Sequence, residues 1–206
     1  MKKKLLLPLL LAGGLCSTPA FAETYVSGSV GLGMMSNAEV SYATTTIKDA
    51  AEFKSGIPFG IAFGNKFGEY RVEGAISHQS NDVEMSKLTT SNFGVSTPVV
   101  ATKVSLLSFM VNGYRDFAIK DPNVSPYLMA GLGFVQAEET EYGVTTIDET
   151  VFAWQLGAGV GIKVADKVAI DLSARYFSPS EVSDITDTVN FSVSSMNVLA
   201  GVRYTF

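Results

Sequence analysis

The sequence predicts an all-β fold: an eight-stranded antiparallel β-barrel, arranged as an up-and-down meander, that spans a membrane. Hydrophobic residues make up 47% of the chain and charged residues 17%, which is apolar for a soluble domain. Beyond the N-terminal segment, however, no run of about 18 apolar residues is present that would predict a spanning helix. Eight segments instead alternate apolar residues with small or polar residues, and this period of two is typical of strands with two different faces.

The N-terminal segment has the three parts of a secretory signal peptide. Lys2, Lys3 and Lys4 precede the apolar run LLLPLLLAGGL, and Ala20-Phe21-Ala22 supplies the small residues of a cleavage site. We therefore divide the chain into a cleaved signal peptide, residues 1–22, and a barrel domain, residues 23–206. The one cysteine, Cys16, lies in the signal peptide, which excludes disulfides and thiolate metal sites from the mature chain.

The first three predicted strands place apolar residues on one face and small or charged residues on the other. They lie in YVSGSVGLGMM (25–35), FKSGIPFGIAFG (53–64) and EYRVEGAISHQ (69–79). In the third, the charged side chains, Arg71 and Glu73 among them, fall on the face opposite the apolar residues. One face of each strand is therefore expected to meet lipid.

Five further segments follow the same pattern: LLSFMVNGYRDF (106–117), PYLMAGLGFV (126–135), VFAWQLGAGVGIKV (151–164), VAIDLSARYF (168–177) and NVLAGVRYTF (197–206). A soluble sandwich would also alternate, but its polar face would meet water. Here that face is crowded with glycine, alanine and serine. Small residues fit the lumen of an eight-stranded barrel, which is just wide enough for side chains to fill it, and they favour the barrel over the sandwich.

The links between the predicted strands alternate in length. GNKFG, AIKDPNVS and ADK are short, whereas the other links are rich in Thr, Ser, Asp and Glu, as in NAEVSYATTTIKDAAE. Bacterial outer-membrane barrels have short periplasmic turns and longer extracellular loops. We therefore expect both termini to lie on the periplasmic side.

Successive side chains of a strand point to opposite faces. The odd or even position of a residue in its strand, here called its parity, therefore predicts which polar residues line the lumen. The charged set is Arg71, Glu73, Lys163, Asp171, Arg175 and Arg203, and the uncharged polar set is Asn112, Tyr114, Tyr127 and Gln155. Because isolated charges are costly in a low dielectric, we expect the charged set to form a paired network. Such a network is either a structural plug or a gate whose ion pairs exchange partners and admit small solutes.

The strand segments together resemble the opacity-like surface-antigen barrels, relatives of the small OmpA and OmpX type proteins. The resemblance rests on ETYVSGSVGLG, YRVEGAIS, VNGYRDF, PYLMAGLGF, WQLGAGVGIKVADKVAIDLSARY and VLAGVRYTF. It implies a non-enzymatic protein of the bacterial outer membrane that contacts lipid and lipopolysaccharide as a monomer, with the outer-membrane barrel domain at residues 23–206. The final Tyr204 and Phe206 resemble the C-terminal signal recognised by the barrel-assembly machinery.

The function implied by this resemblance is that of a surface antigen or adhesin whose extracellular loops meet an external or host ligand. The alternative is a narrow pore for ions or small solutes. A remote alternative is a lipid A deacylase, because His78-Gln79-Ser80-Asn81 resembles the His-x-Ser-Asn motif of those enzymes, in which a histidine activates a serine. The motif here leaves the third strand instead of lying near the end of the barrel, and no acid stands at the family's spacing.

Other classes of site have little support. The net charge is −5 and becomes more negative once the signal peptide, with its three lysines, is removed. Nucleic acid needs a positively charged protein surface, so this charge argues against a nucleic-acid partner. The mature chain has one histidine and no cysteine, so we expect no zinc site and no cofactor. A calcium-binding site in the acidic loops stays open as a prediction, although no EF-hand pattern is present.

Overall fold

The computed structural model describes residues 22–36, 38–42, 45–86, 102–141, 144–180, 182–183, 189–192 and 194–206. Within these ranges the chain forms twelve strands. The same ranges contain no helix that is long and apolar enough to cross a membrane. The strands are β1 (Glu23–Met35), β2 (Ala38–Tyr42), β3 (Thr45–Phe53), β4 (Phe59–Phe67), β5 (Tyr70–Ser86), β6 (Thr102–Asp116), β7 (Val124–Glu141), β8 (Val144–Ala165), β9 (Val168–Pro179), β10 (Val182–Ser183), β11 (Val189–Ser192) and β12 (Ser195–Thr205).

Eight of these strands close into the predicted barrel. The order around the ring is β1, β4, β5, β6, β7, β8, β9 and β12, and every neighbouring pair is antiparallel. Closure is visible at Val26, which pairs with Phe63 of β4 on one side and with Tyr204 of β12 on the other. The predicted up-and-down meander is confirmed.

The two faces of the barrel strands differ sharply in exposure. Outward side chains are apolar and exposed, as at Leu32 (61%) and Ile61 (66%), whereas the inward Tyr25 and Asn112 are 1% and 0% exposed. This is the reverse of a soluble protein, because lipid solvates the outer face and the lumen holds the polar groups. The alternation in the sequence therefore separates lipid contacts from lumen contacts.

Glycines make room for the large side chains of the lumen. A Cβ atom built at Gly159 would lie 2.5 Å from Cζ of Tyr127 and 2.5 Å from the carbonyl oxygen of Leu172. Tyr127 is the direct neighbour of Gly159 in the β7–β8 register, so the phenol ring lies over the glycine. Tyr25 and Gly64 form the same arrangement between β1 and β4.

The strands continue well beyond the hydrocarbon layer on the extracellular side. β8 has 22 residues, or roughly 70 Å at about 3.3 Å per residue, compared with an apolar band of roughly 25 Å. The expected loop between the fifth and sixth predicted strands is thus largely a hairpin of β7 and β8. β3 pairs with the outer end of β5, and β2, β11 and β10 extend that sheet in turn.

The predicted signal peptide lies outside the described residues except for Ala22. Its cleavage therefore stays a prediction.

We expect Gly159→Ala to lower the stability of the folded barrel by about 1–3 kcal/mol, the usual cost of overpacking. Urea unfolding in lipid vesicles, followed by heat-modifiable gel migration, measures this change. Gly113→Ala is the matched control, because a Cβ atom there would meet nothing closer than 4.0 Å. Equal stability of the two variants would contradict the packing role of Gly159.

Candidate functional site: the barrel lumen

The periplasmic end of the lumen is occupied by an ion pair between Arg71 and Asp116. Nε of Arg71 donates to Oδ1 and Oδ2 of Asp116 at 3.0 and 3.1 Å, and Nη2 donates to Oδ1 at 2.8 Å. Lys66 lies 3.8 Å from the same carboxylate. The guanidinium carbon of Arg71 also lies 4.3 and 4.7 Å from the ring centroids of Tyr114 and Tyr127, a cation–π arrangement that holds the buried arginine on two aromatic faces.

Glu73 is buried without a direct arginine partner. Its carboxylate accepts hydrogen bonds from Tyr25 Oη at 2.9 Å, Asn112 Nδ2 at 3.1 Å and Tyr114 Oη at 2.5 Å. Asn112 in turn accepts a hydrogen bond from Gln155 Nε2 at 2.6 Å. Neutral donors from β1 and β6 thus satisfy this charge and tie strands from different parts of the ring together.

The opposite wall carries the other two arginines. Nε of Arg203 lies 3.1 Å from Oδ2 of Asp171, and Nη2 donates to Oδ1 at 3.3 Å. In the described part of the chain, Nε of Arg175 and Nε of Arg203 are both buried without a hydrogen-bond partner. Arg175 differs in having no carboxylate within 4.0 Å among the described residues. The three arginines and the three acids Glu73, Asp116 and Asp171 balance, so this part of the lumen carries no net charge apart from Lys66 at its periplasmic end.

Two small cavities remain between these side chains. One, of ≈ 50 Å³, is lined by Glu73, Arg71, Asp171, Arg203 and Arg175 among others. The second, of ≈ 40 Å³, also touches Arg175 and is otherwise lined by serine, amide and apolar side chains. Each is large enough for a few water molecules that would solvate the guanidinium group of Arg175.

Apolar side chains close the extracellular end of the lumen. The buried cluster comprises Met35, Leu106, Met110, Val135, Ala153 and Phe177, which come from β1, β6, β7, β8 and β9. Gln79 and Asn81 of β5 complete this level, where Asn81 donates to the carbonyl oxygens of Gly33 and Lys54. We call the six apolar residues the outer apolar cluster.

The structure places the predicted lumen residues inside the barrel except for Lys163. That side chain is half exposed at the periplasmic rim, 3.8 Å from Asp166. The β8–β9 register is unbroken up to Lys163 and shifts only beyond it, so the exposure of Lys163 follows from its position at the end of the barrel.

Three parts of the lumen, Asp116, Tyr25 and the outer apolar cluster, were not predicted from the sequence. Asp116 shares the parity of Tyr114, and Tyr25 begins the inward face of β1, so alternation contained both signals. The outer apolar cluster gave a weaker signal, because its members are apolar residues on a face that is otherwise small or polar.

The remaining candidate sites are not supported by the contacts. The ring of His78 lies 5.4 Å from that of Phe59, whereas Ser80 Oγ lies 3.3 Å from Ser105 Oγ. Asn81 points into the lumen. The described contacts thus do not join the histidine to the serine as a nucleophile and base require. Within the described ranges, no group of three or more His, Cys, Asp or Glu side chains is arranged to hold a metal.

Solved structures that are similar to this chain include outer-membrane barrels. Neisserial surface protein A has a TM-score of 0.59 and 22% sequence identity, with 90% of this chain and 99% of that chain covered. OprG from Pseudomonas aeruginosa has a TM-score of 0.53 and 12% identity, with 90% and 96% covered. At these identities the likeness shows the shared fold alone.

Two sequence comparisons agree with the fold. Outer membrane protein PagN of Salmonella typhimurium is 32% identical over 93 residues, which span 41% of this chain and 38% of that protein. The family described as outer membrane protein beta-barrel domain matches residues 9–206. The chain therefore belongs to the outer membrane protein beta-barrel domain family and is a protein of the bacterial outer membrane.

Proposed function

We propose that this protein is a surface antigen or adhesin that meets external ligands through its extracellular loops, while its lumen serves as a structural plug. The observation that carries the proposal is the filled lumen. Side chains with fixed partners occupy its periplasmic part, and the outer apolar cluster covers its extracellular part. A protein built in this way has its accessible surface outside the barrel.

The lumen geometry argues against the narrow pore. Cavities of ≈ 50 and ≈ 40 Å³ accommodate a few water molecules rather than a hydrated ion pathway. An ion moving outward would also have to pass the level of the outer apolar cluster, where buried apolar side chains stand beside Gln79 and Asn81, and a narrow, largely apolar passage opposes conduction by excluding water. Neither feature favours a gate, so we assign to the ion pairs of the lumen a role in the stability of the folded barrel.

The extracellular strands support a role at the surface. The β7–β8 hairpin and the sheet of β3, β2, β11 and β10 extend the barrel outward, and such extensions support loops above the lipopolysaccharide layer. In this proposal the protein acts as a monomer in contact with lipopolysaccharide and is not an enzyme. Tyr204 and Phe206, whose rings lie 5.5 Å apart at the end of the last barrel strand, serve as the signal for the assembly machinery.

We expect Asp116→Ala to destabilise the barrel by about 3–5 kcal/mol, because it leaves Arg71 buried without its carboxylate. Urea unfolding in lipid vesicles measures the difference from the wild type. Asp166→Ala is the control, since the ion pair of Asp166 with Lys163 is exposed and its loss should change little. A small effect of Asp116→Ala would contradict the structural assignment of the lumen network.

The loop function is tested on intact bacteria that produce the protein. An antibody raised against the peptide KLTTSNFGVSTPVVA, residues 87–101, should label intact cells. An antibody against residues 118–124 of the β6–β7 turn should label only permeabilised cells. Residues 80–86 belong to β5 and pair in part with β6, so they are left intact when residues 87–101 are removed.

Replacing residues 87–101 by a short Gly-Ser link should reduce adhesion of these bacteria to cultured epithelial cells and leave heat-modifiable migration unchanged. Bacteria that carry the empty vector give the baseline. Equal adhesion with and without the protein would contradict the adhesin role, and labelling of residues 87–101 only after permeabilisation would contradict surface display.

A further inference from the structure

The lipid-facing side of β6 ends in an arginine. Val111, Gly113 and Arg115 alternate on the outward face, and Arg115 is exposed. The register places Arg115 directly between Tyr70 of β5 and Leu128 of β7. A cation thus stands in a row of residues that otherwise contact lipid.

Aromatic rings frame this arginine. Its guanidinium carbon lies 5.3 Å from the ring centroid of Phe117 and 6.0 Å from that of Tyr70. In the described part of the chain, no carboxylate oxygen lies within 4.0 Å of Arg115. In the lumen, by contrast, Arg71 and Arg203 each contact an aspartate. The guanidinium donors of Arg115 therefore have no anionic partner among the described residues.

The depth of Arg115 indicates what it meets instead. β6 ends at Asp116, directly before the short turn to β7, so Arg115 lies at the periplasmic rim, where the phospholipid headgroups of the inner leaflet lie. An arginine at a membrane interface costs far less than one at the bilayer midplane, and it extends its head toward polar groups. Its planar fork of donors matches a phosphate in a bidentate manner.

We propose that Arg115, framed by Tyr70 and Phe117, binds the phosphodiester group of a glycerophospholipid of the periplasmic leaflet. The acyl chains of that lipid lie along the apolar outer surface of β5, β6 and β7, where Ile76, Val111 and Leu128 are exposed. The site holds this side of the barrel at a fixed depth. It depends on the position of the barrel in the membrane and is independent of the loop function.

Native mass spectrometry tests this site on the mature protein, refolded in a non-ionic sugar detergent and mixed with phosphatidylglycerol. We expect the wild type to retain one phosphatidylglycerol molecule and Arg115→Gln to retain it about tenfold less, the loss of one charge-assisted contact. Lys167→Gln, which removes the same charge from the β8–β9 turn at the same end of the barrel, should retain the lipid as the wild type does. Heat-modifiable migration verifies that each variant is folded.

Three further measurements identify which chemical group of the lipid is recognised. Diacylglycerol, which lacks phosphate, should not be retained, and an excess of inorganic phosphate should not displace the lipid. Arg115→Lys keeps the charge without the planar fork and should give intermediate retention, which also covers the case that Arg115→Gln fails to fold. Equal retention by wild type and Arg115→Gln, retention of diacylglycerol, or full displacement by inorganic phosphate would overturn the proposal.

Discussion

The lumen of an eight-stranded barrel imposes the constraint on which the rest of this structure depends. Its width is sufficient for side chains alone, so every inward residue must be matched by the residue that it meets. Tyr25 and Tyr127 lie over glycines of the next strand, and Glu73 receives three donors from side chains of other strands. The packing that fills the lumen therefore also joins distant parts of the ring.

The same constraint divides the molecule along its axis. Charged groups occupy the periplasmic part, where Arg71 and Asp116 pair beside Lys66, and uncharged groups, the outer apolar cluster with Gln79 and Asn81, occupy the extracellular part. Charge inside the barrel is thereby neutralised, and external solutes meet the outer apolar cluster. In the proposed function the lumen is inert, and external molecules meet the extracellular strands and loops. The proposed lipid site at Arg115 is a second place of recognition.

Much of this architecture could be predicted from alternation alone, because the period of two follows directly from strand geometry. Parity gave the faces of Arg71, Glu73 and Arg203, but it does not give the depth of a residue along the barrel axis, so the exposure of Lys163 at the periplasmic rim was missed. Partner choice could not be predicted, since it depends on how far the strands are staggered around the barrel. The outward length of β7 and β8 was also missed, because their outer segments are rich in Thr, Glu and Asp and look like a loop.

The closed lumen is tested most directly by single-channel recording of the refolded mature protein in planar bilayers. The wild type and Glu73→Ala should both be silent, because the outer apolar cluster is intact in each. The double variant Leu106→Ser, Phe177→Ser should show openings, because it replaces two apolar members of that cluster with small polar residues. Reproducible openings of the wild type that change in Glu73→Ala would contradict this account and identify the lumen network as a gate.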